Sequence, residues 1–318
     1  MCTRVLWDSG EGMLVGRNMD WREDLGTNLW AMPRGEQRGD HGGDTNPLIW
    51  RAEYASVIAG VFDKAATDGI NEAGLGAHLL WLAESDFGDR DIALPGIPVS
   101  MWTQFFLDRF ATVAEAVEHV RRHPFQVRPQ GGPSGTTATV HLAIDDAGGD
   151  SAIFEYLDGR LDVHHGDHYD VMTNSPPFSA QLEHLKQYEG FGGQLPLPGT
   201  TEAADRFVRA AYYTDRLPKV DNPQRGYAAL LSVMRNAAQP FGTPDPSRPN
   251  ISMTIWRTLA DLSKRVYAFE SAFSPDIVWV HMDRLDPTTT QRLELVGHDL
   301  NGDVTNRFQP SRFAFKAA

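Results

Sequence analysis

The spacing of hydrophobic and polar positions changes several times along the chain. CTRVLW (2–7) and GMLVGRNMDW (12–21) are apolar-rich runs flanking DSGEG, the pattern of two strands joined by a tight turn. RAEYASVIAGVF (51–62) reads as a further strand, and TDGINEAGLGAHLLWL (67–82) as strand–turn–strand punctuated by Gly74 and Gly76. Helical spacing then takes over. Pro98 opens VSMWTQFFLDRF (99–110), and ATVAEAVEHVRR (111–122) follows with Thr112 as its cap. Strand patterns return in TATVHLAI (137–144), SAIFEYLD (151–158) and YDVMTNS (169–175), with DDAGGD turning between the first two. TEAADRFVRAAYYTDRL (201–217) reads as a helix with a Thr cap and an acidic first turn, and YAALLSVMRNAA (227–238) as another. Beyond PFGTPDPSRPN (240–250), the runs SMTIWRTLADL, RVYAFES and DIVWVHM all read as strands.

Strands and helices therefore come in alternating blocks, which predicts an α+β architecture of two sheets with helices on both outer faces. No Gly-, Pro- or Ser-rich linker divides the chain, so one domain spanning residues 1–318 is expected. A hydrophobic content of 41% supports a sizeable core, and 22% charged residues excludes a disordered chain. The net charge of −13, without clustered Lys and Arg, argues against nucleic acid and anionic membrane as partners. No apolar run spans a bilayer and no signal-peptide pattern is present, so the expected location is cytoplasmic, or periplasmic if a native leader has been removed.

The chain has one cysteine, Cys2, which leaves no internal disulfide framework and no Cys-based zinc site. A lone cysteine is ordinarily a small buried apolar group. Here its position gives it a second reading. Removal of Met1 would leave Cys2 carrying a thiol and a free α-amine together. A thiol pKa of about 8.5 and an α-amine pKa of about 7.7–8.0 let the amine accept the thiol proton near neutral pH. Such a site needs a group for the amine, a cation for the thiolate and donors for an oxyanion. Arg17 and Asp20, in the strand beside Cys2, are candidates for the first two needs. Alternation prevents both from pointing the same way in a regular strand, so a bulge or strand end is expected between them. A surface Arg–Asp pair of little energetic worth is the competing explanation.

HHGDH (164–168) lacks HExxH spacing and reads as a surface turn. GGPSGTT (131–137) lacks the ending of a phosphate loop and reads as a flexible loop bordering the pocket. Asn250-Ile251-Ser252 fits a glycosylation sequon without a secretory signal. A papain-like Cys–His–Asn arrangement would not require a terminal thiol. No metal and no cofactor is expected.

MCTRVLW, GRNMDW, NEAGLG, MTNSP and LPGTTEAADRFVRA, in this order, resemble the choloylglycine hydrolase family from residue 2 to about 280. That family comprises penicillin V acylases and bile salt hydrolases. The resemblance implies an N-terminal-nucleophile hydrolase with an αββα four-layer sandwich. It implies Cys2 as nucleophile, Arg17 beside the thiol, Asp20 holding the α-amine, Asn174 as oxyanion donor and Arg206 as a second arginine of the site. Trp81 falls where the other oxyanion contributor is placed, and departs from the Asn or Tyr of other members. A donating backbone N–H leaves that side chain free to line the acyl pocket. Tryptophan there, with NLWAMP and LLWLAES, resembles the Gram-negative-type penicillin V acylase cluster, whose members also deacylate N-acyl-homoserine lactones. Trp21 and Trp81, with Met19 as adaptable wall, are expected to bind substrate, whereas Trp30 and Trp102 are expected in the core.

The implied substrates are small linear amides, in the order penicillin V, acyl-homoserine lactone and conjugated bile salt. The resemblance also implies a homotetramer. A catalytically idle binding protein for acylated small molecules is the alternative of a different class.

Overall fold

The computed structural model describes residues 1–39, 43–131, 137–242, 252–274, 276–295 and 299–315. Most of the loops at 131–137 and 240–250, and Asn250 and Ile251 of the sequon, lie outside the described residues.

In chain order the strands of the two large sheets are β1 (Cys2–Asp8), β2 (Met13–Trp21), β3 (Asn28–Met32), β4 (Ser56–Val61), β5 (Ala65–Asn71), β6 (Leu75–Trp81), β7 (Val140–Asp146), β8 (Ser151–Leu157), β9 (Arg160–His165), β10 (Val171–Met172), β11 (Met253–Asp261), β12 (Val266–Ser271), β13 (Ile277–His281), β14 (Gln291–Leu293), β15 (Gly302–Asp303) and β16 (Gln309–Pro310). The helices are α1 (Val99–Arg109), α2 (Val113–Arg122), α3 (Phe178–Leu185), α4 (Ala203–Asp215) and α5 (Pro223–Asn236). Among the described residues, one sheet has seven strands in the order β10-β1-β2-β11-β12-β13-β15; the other has nine, β9-β8-β7-β6-β5-β4-β3-β14-β16. No helix among the described residues is long and apolar enough to cross a membrane.

Burial on both faces of each sheet makes the layers. In the nine-stranded sheet, Leu29, Ala31, Val57 and Ala59 share a core with the seven-stranded sheet, while the alternating Trp30, Met32 and Ile58 pack with α1 and α2. The period of two sends successive side chains to opposite layers. Helices α4 and α5 cover the other face of β1 and β2. The order is helices, sheet, sheet, helices: an αββα sandwich. Gly16 of β2 shows how closely α5 approaches, because a Cβ there would lie 2.6 Å from Met234 Cγ.

The expected β1–β2 hairpin forms, with Cys2 opposite Met19 and Arg4 opposite Arg17. Thr112 caps α2 in a full capping box with Glu115. Trp30 and Trp102 are core residues. Several expectations are corrected. The strand expected at 51–62 is broken into Ile49–Arg51 and Ser56–Val61. YDVMTNS keeps only Val171–Met172 as strand. Helix α4 is not capped by a Thr side chain; Glu202 is the N-cap, and Thr200 Oγ1 instead holds the Glu202 N–H and Asp205. Helix α5 begins a turn early, because Asn222 caps it and Pro223 supplies a preset φ at its first position. His164 and His165 of HHGDH belong to β9 and are half-buried, approaching Glu155 and Asp150 respectively; only the residues after them turn.

Candidate active site

Cys2 begins the inner strand pair of the seven-stranded sheet and is buried. Its sulfur lies on the face toward the other sheet, with Met19 Sδ at 3.7 Å and Arg17 Nη2 at 3.8 Å. Arg17 is fully buried and has no carboxylate ion pair among the described residues. It donates to Leu79 O at 2.8 Å and stacks on Trp256, 4.5 Å from the ring centroid.

The bulge expected between Arg17 and Asp20 does not occur in β2. Arg17 and Met19 face the opposite sheet, and Asp20 faces the helices, as alternation requires. The register slip lies instead in β11, between Thr254 and Trp256. Arg17 and Asp20 therefore approach Cys2 from opposite sides of one sheet. Asp20 is fully buried, so the surface-pair explanation is excluded. Its Oδ1 accepts from Thr254 Oγ1 at 2.6 Å and its Oδ2 from Gln239 Nε2 at 3.3 Å, with Arg206 Nη1 at 3.5 Å. Its backbone oxygen accepts from the Met1 amine at 2.6 Å. Burial holds that amine below its ordinary value; Cys2 and Asp20 oppose the shift, and Arg206 and Arg17 add to it.

On the helix side, α4 presents Arg206, whose Nη1 donates to Cys2 O at 2.6 Å and to Thr3 Oγ1. Its Nη2 donates to Asn174 Oδ1 at 2.9 Å, and its Nε to Thr201 O at 3.0 Å. The same Asn174 oxygen accepts the Cys2 N–H at 2.5 Å. Two donors fix which way the carboxamide faces, so Nδ2 points to β6 and donates to Trp81 O at 2.6 Å. An amide nitrogen carries two hydrogens, leaving one beyond that bond.

Strand β6 is paired with β7 on one side, and Leu82 N donates to Thr139 O in that direction. Leu79 and Trp81 turn their backbone groups the other way, where Arg17 and Asn174 meet their carbonyls. The Trp81 ring lies 5.6 Å from Trp21, at the end of β2 beside Met19, and both rings are half-buried.

All the sequence-expected catalytic residues, Cys2, Arg17, Asp20, Trp81, Asn174 and Arg206, thus meet at one place. The holders of Asp20, Thr254 and Gln239, and the Arg17 platform Trp256, were not anticipated. Thr254 and Trp256 lie in an ordinary strand pattern, and their roles arise from the β11 register slip, which no local signal announces.

The fold is that of the N-terminal-nucleophile hydrolases. The model for linear amide C–N hydrolases of the choloylglycine hydrolase family matches residues 2–293. A penicillin V acylase of Pectobacterium atrosepticum is 40% identical over 90% of this chain and 82% of its own. The solved penicillin V acylase from Agrobacterium tumefaciens superposes with a TM-score of 0.91 at 41% identity, covering 100% of both chains. A bile salt hydrolase/transferase of Clostridium perfringens is 26% identical over 89% of this chain and 93% of its own. The chain belongs to the choloylglycine hydrolase family and is an enzyme of the linear amide C–N hydrolase class.

Proposed function

We propose that the protein is a penicillin V acylase-like amidase in which Cys2, freed of Met1, is both nucleophile and base. The observation that carries this reading is the convergence on one buried residue. Arg17 lies at the Cys2 sulfur, Asn174 at its nitrogen and Arg206 at its carbonyl. Removal of Met1 turns the Cys2 nitrogen into an amine. That amine takes the thiol proton, and the thiolate attacks the amide carbonyl of the substrate. The spare Asn174 Nδ2–H and the Trp81 backbone N–H stabilise the oxyanion. The protonated amine returns its proton to the leaving nitrogen as the C–N bond breaks. Water then adds to the thioester, releasing the acid and restoring the thiol. Asp20, anchored by Thr254 and Gln239, supplies the negative charge that keeps the protonated amine in place.

The aromatic pair Trp21–Trp81, with Met19 beside the sulfur, suits a flat or extended apolar acyl group. Penicillin V ranks first, in line with the 40% identical relative; long-chain acyl-homoserine lactones follow, and conjugated bile salts come third, as the 26% relative suggests. A single domain and a homotetramer belong to the same reading.

The test is turnover of the three amides alongside iodoacetamide labelling. Cys2→Ala should abolish turnover, and Asn174→Ala should lower kcat by about 10²–10³. Protein that retains Met1 should be inactive, because an acylated nitrogen is no base. Parent-like turnover in Cys2→Ala would refute the nucleophile. Labelling of Cys2 without any amidase activity would favour a binding protein.

A further inference from the structure

Two fully buried residues that the mechanism does not use, His141 of β7 and Glu155 of β8, form a continuous chain of contacts to Asn174. They sit one position beyond the paired Leu142 and Phe154, on the sheet face toward β1. Glu155 Oε1 lies 2.8 Å from His141 Nδ1, and His141 Nε2 lies 2.9 Å from Thr173 O. A carbonyl oxygen only accepts, so Nε2 carries the hydrogen in that bond. Thr173 is the residue before Asn174.

The same carboxylate holds the other end of the segment. The Phe178 N–H, at the start of α3, donates to Glu155 Oε1 and Oε2 at 3.1 and 3.0 Å. Between the two ends, Gln181 Nε2 donates to the carbonyls of Asn174 and Pro176, and Gln181 Oε1 accepts from Thr173 Oγ1 at 2.6 Å. The remaining titratable group near Glu155 among the described residues is His164 of β9, with Nε2 at 3.7 Å from Oε2. The stretch 173–178 has only Val171–Met172 as regular strand before it, so side chains, not a ladder, fix its path.

We propose that His141 and Glu155 are a positioning pair that sets where the Asn174 carboxamide sits beside Cys2. The pair spans the backbone on both sides of Asn174, and its loss lets the oxyanion donor shift while Cys2, Arg17 and Arg206 stay in place. This rests on the amidase reading above, in which Asn174 acts on the transition state. Displacement of such a donor by about 1 Å is enough to cost of the order of 10²-fold in rate.

The test compares His141→Leu, which removes both bonds, with His141→Gln, which keeps a donor near Thr173 O. Each is made in the parent and in the Asn174→Ala background. His141→Leu should lower kcat about 10–100-fold with KM within about twofold, and His141→Gln should recover most of that loss. Alkylation of Cys2 by iodoacetamide needs no oxyanion donor and should stay within about twofold of the parent. In the Asn174→Ala background the His141 substitutions should change kcat by less than about twofold. The proposal is overturned if His141→Leu leaves kcat unchanged, if its loss persists in the Asn174→Ala background, or if alkylation falls in step with kcat. If His141→Leu does not fold, Glu155→Gln replaces it with the same readouts, since it retains an acceptor for Phe178. An Asn174→Ala enzyme of parent activity would instead refute the oxyanion assignment itself.

Discussion

Arg206 shows how much one side chain organises at this site. Its planar fork reaches Cys2 O, Thr3 Oγ1 and Asn174 Oδ1 together, while Nε holds Thr201 O from the chain leading into α4. Burial pulls its pKa down, and the charges of Asp20, Cys2 and Glu202 counter that pull. A lysine would keep the charge but lose the geometry, because an ammonium is a point donor that cannot span three acceptors. Arg206→Lys should therefore fold and lose about 10–100-fold in kcat/KM. Steady-state kinetics on penicillin V checks this, and a parent-like value would show that charge alone suffices. Asp20 complements the arginine from the same side, with Thr254 and Gln239 satisfying both carboxylate oxygens. That satisfaction is what lets a carboxyl group remain fully buried beside Cys2.

At the scale of elements, local chemistry decides some boundaries and packing decides others. The capping box of α2 is local: Thr112 Oγ1 accepts the Glu115 N–H at 3.2 Å, and Glu115 Oε2 accepts the Thr112 N–H at 3.2 Å. Thr112→Ala should cost about 1 kcal/mol in denaturant unfolding and leave turnover unchanged, since α2 lies on the far side of the nine-stranded sheet. Because that signal is local, it was legible in the sequence, as were the β1–β2 hairpin and the Gly74 turn, whose φ of +95° suits glycine. Helix α3 went unseen: its eight residues follow Pro176-Pro177, and its first N–H is satisfied by Glu155 from another sheet strand. The short strands β14 and β16 have no period of their own and exist by pairing with β3 and with each other. The site divides the same way. Cys2, Arg17, Asp20, Asn174 and Arg206 stood in recognisable motifs. Their supports, Thr254, Gln239, Gln181, His141 and Glu155, are polar residues in ordinary strand or helix patterns, and only tertiary structure brings them to the site.

At the scale of the whole molecule, the interface between the two sheets is not purely apolar. Arg4 and Arg17 stand directly opposite each other on β1 and β2, an arrangement of like charges that is unfavourable alone. The facing sheet answers with Asp145, paired with Arg4, and with Asp68, which accepts from Thr258 Oγ1 at 3.0 Å and from Tyr267 OH. His78 lies between the two carboxylates, hydrogen-bonded through Nδ1 to Asp68 Oδ2 at 2.6 Å, with Nε2 3.4 Å from Asp145 Oδ2. Burial lowers the His78 pKa, opposed by Asp68 and aided by Arg4 and Arg17, so the folded state favours the neutral ring. For a depressed pKa the unfolded chain binds more protons, and stability falls as pH drops below the ordinary value of 6.5. Glu155 acts lower on the scale. Burial raises its pKa, but hydrogen bonds from His141 and the Phe178 N–H, with the nearby His164 ring, outweigh that effect and hold it at about 2. Its contribution is full above 4.5 and is lost as pH falls through about 2, amounting to roughly 3 kcal/mol. Acid unfolding should therefore proceed by two separable losses. Urea unfolding measured across the acid range should show a first decline beginning below pH 6.5 that His78→Gln removes, and a second below pH 4.5 that Glu155→Gln removes. If His78→Gln keeps the parent slope below pH 6.5, the buried imidazole is not the group that couples protons to the packing of the two sheets.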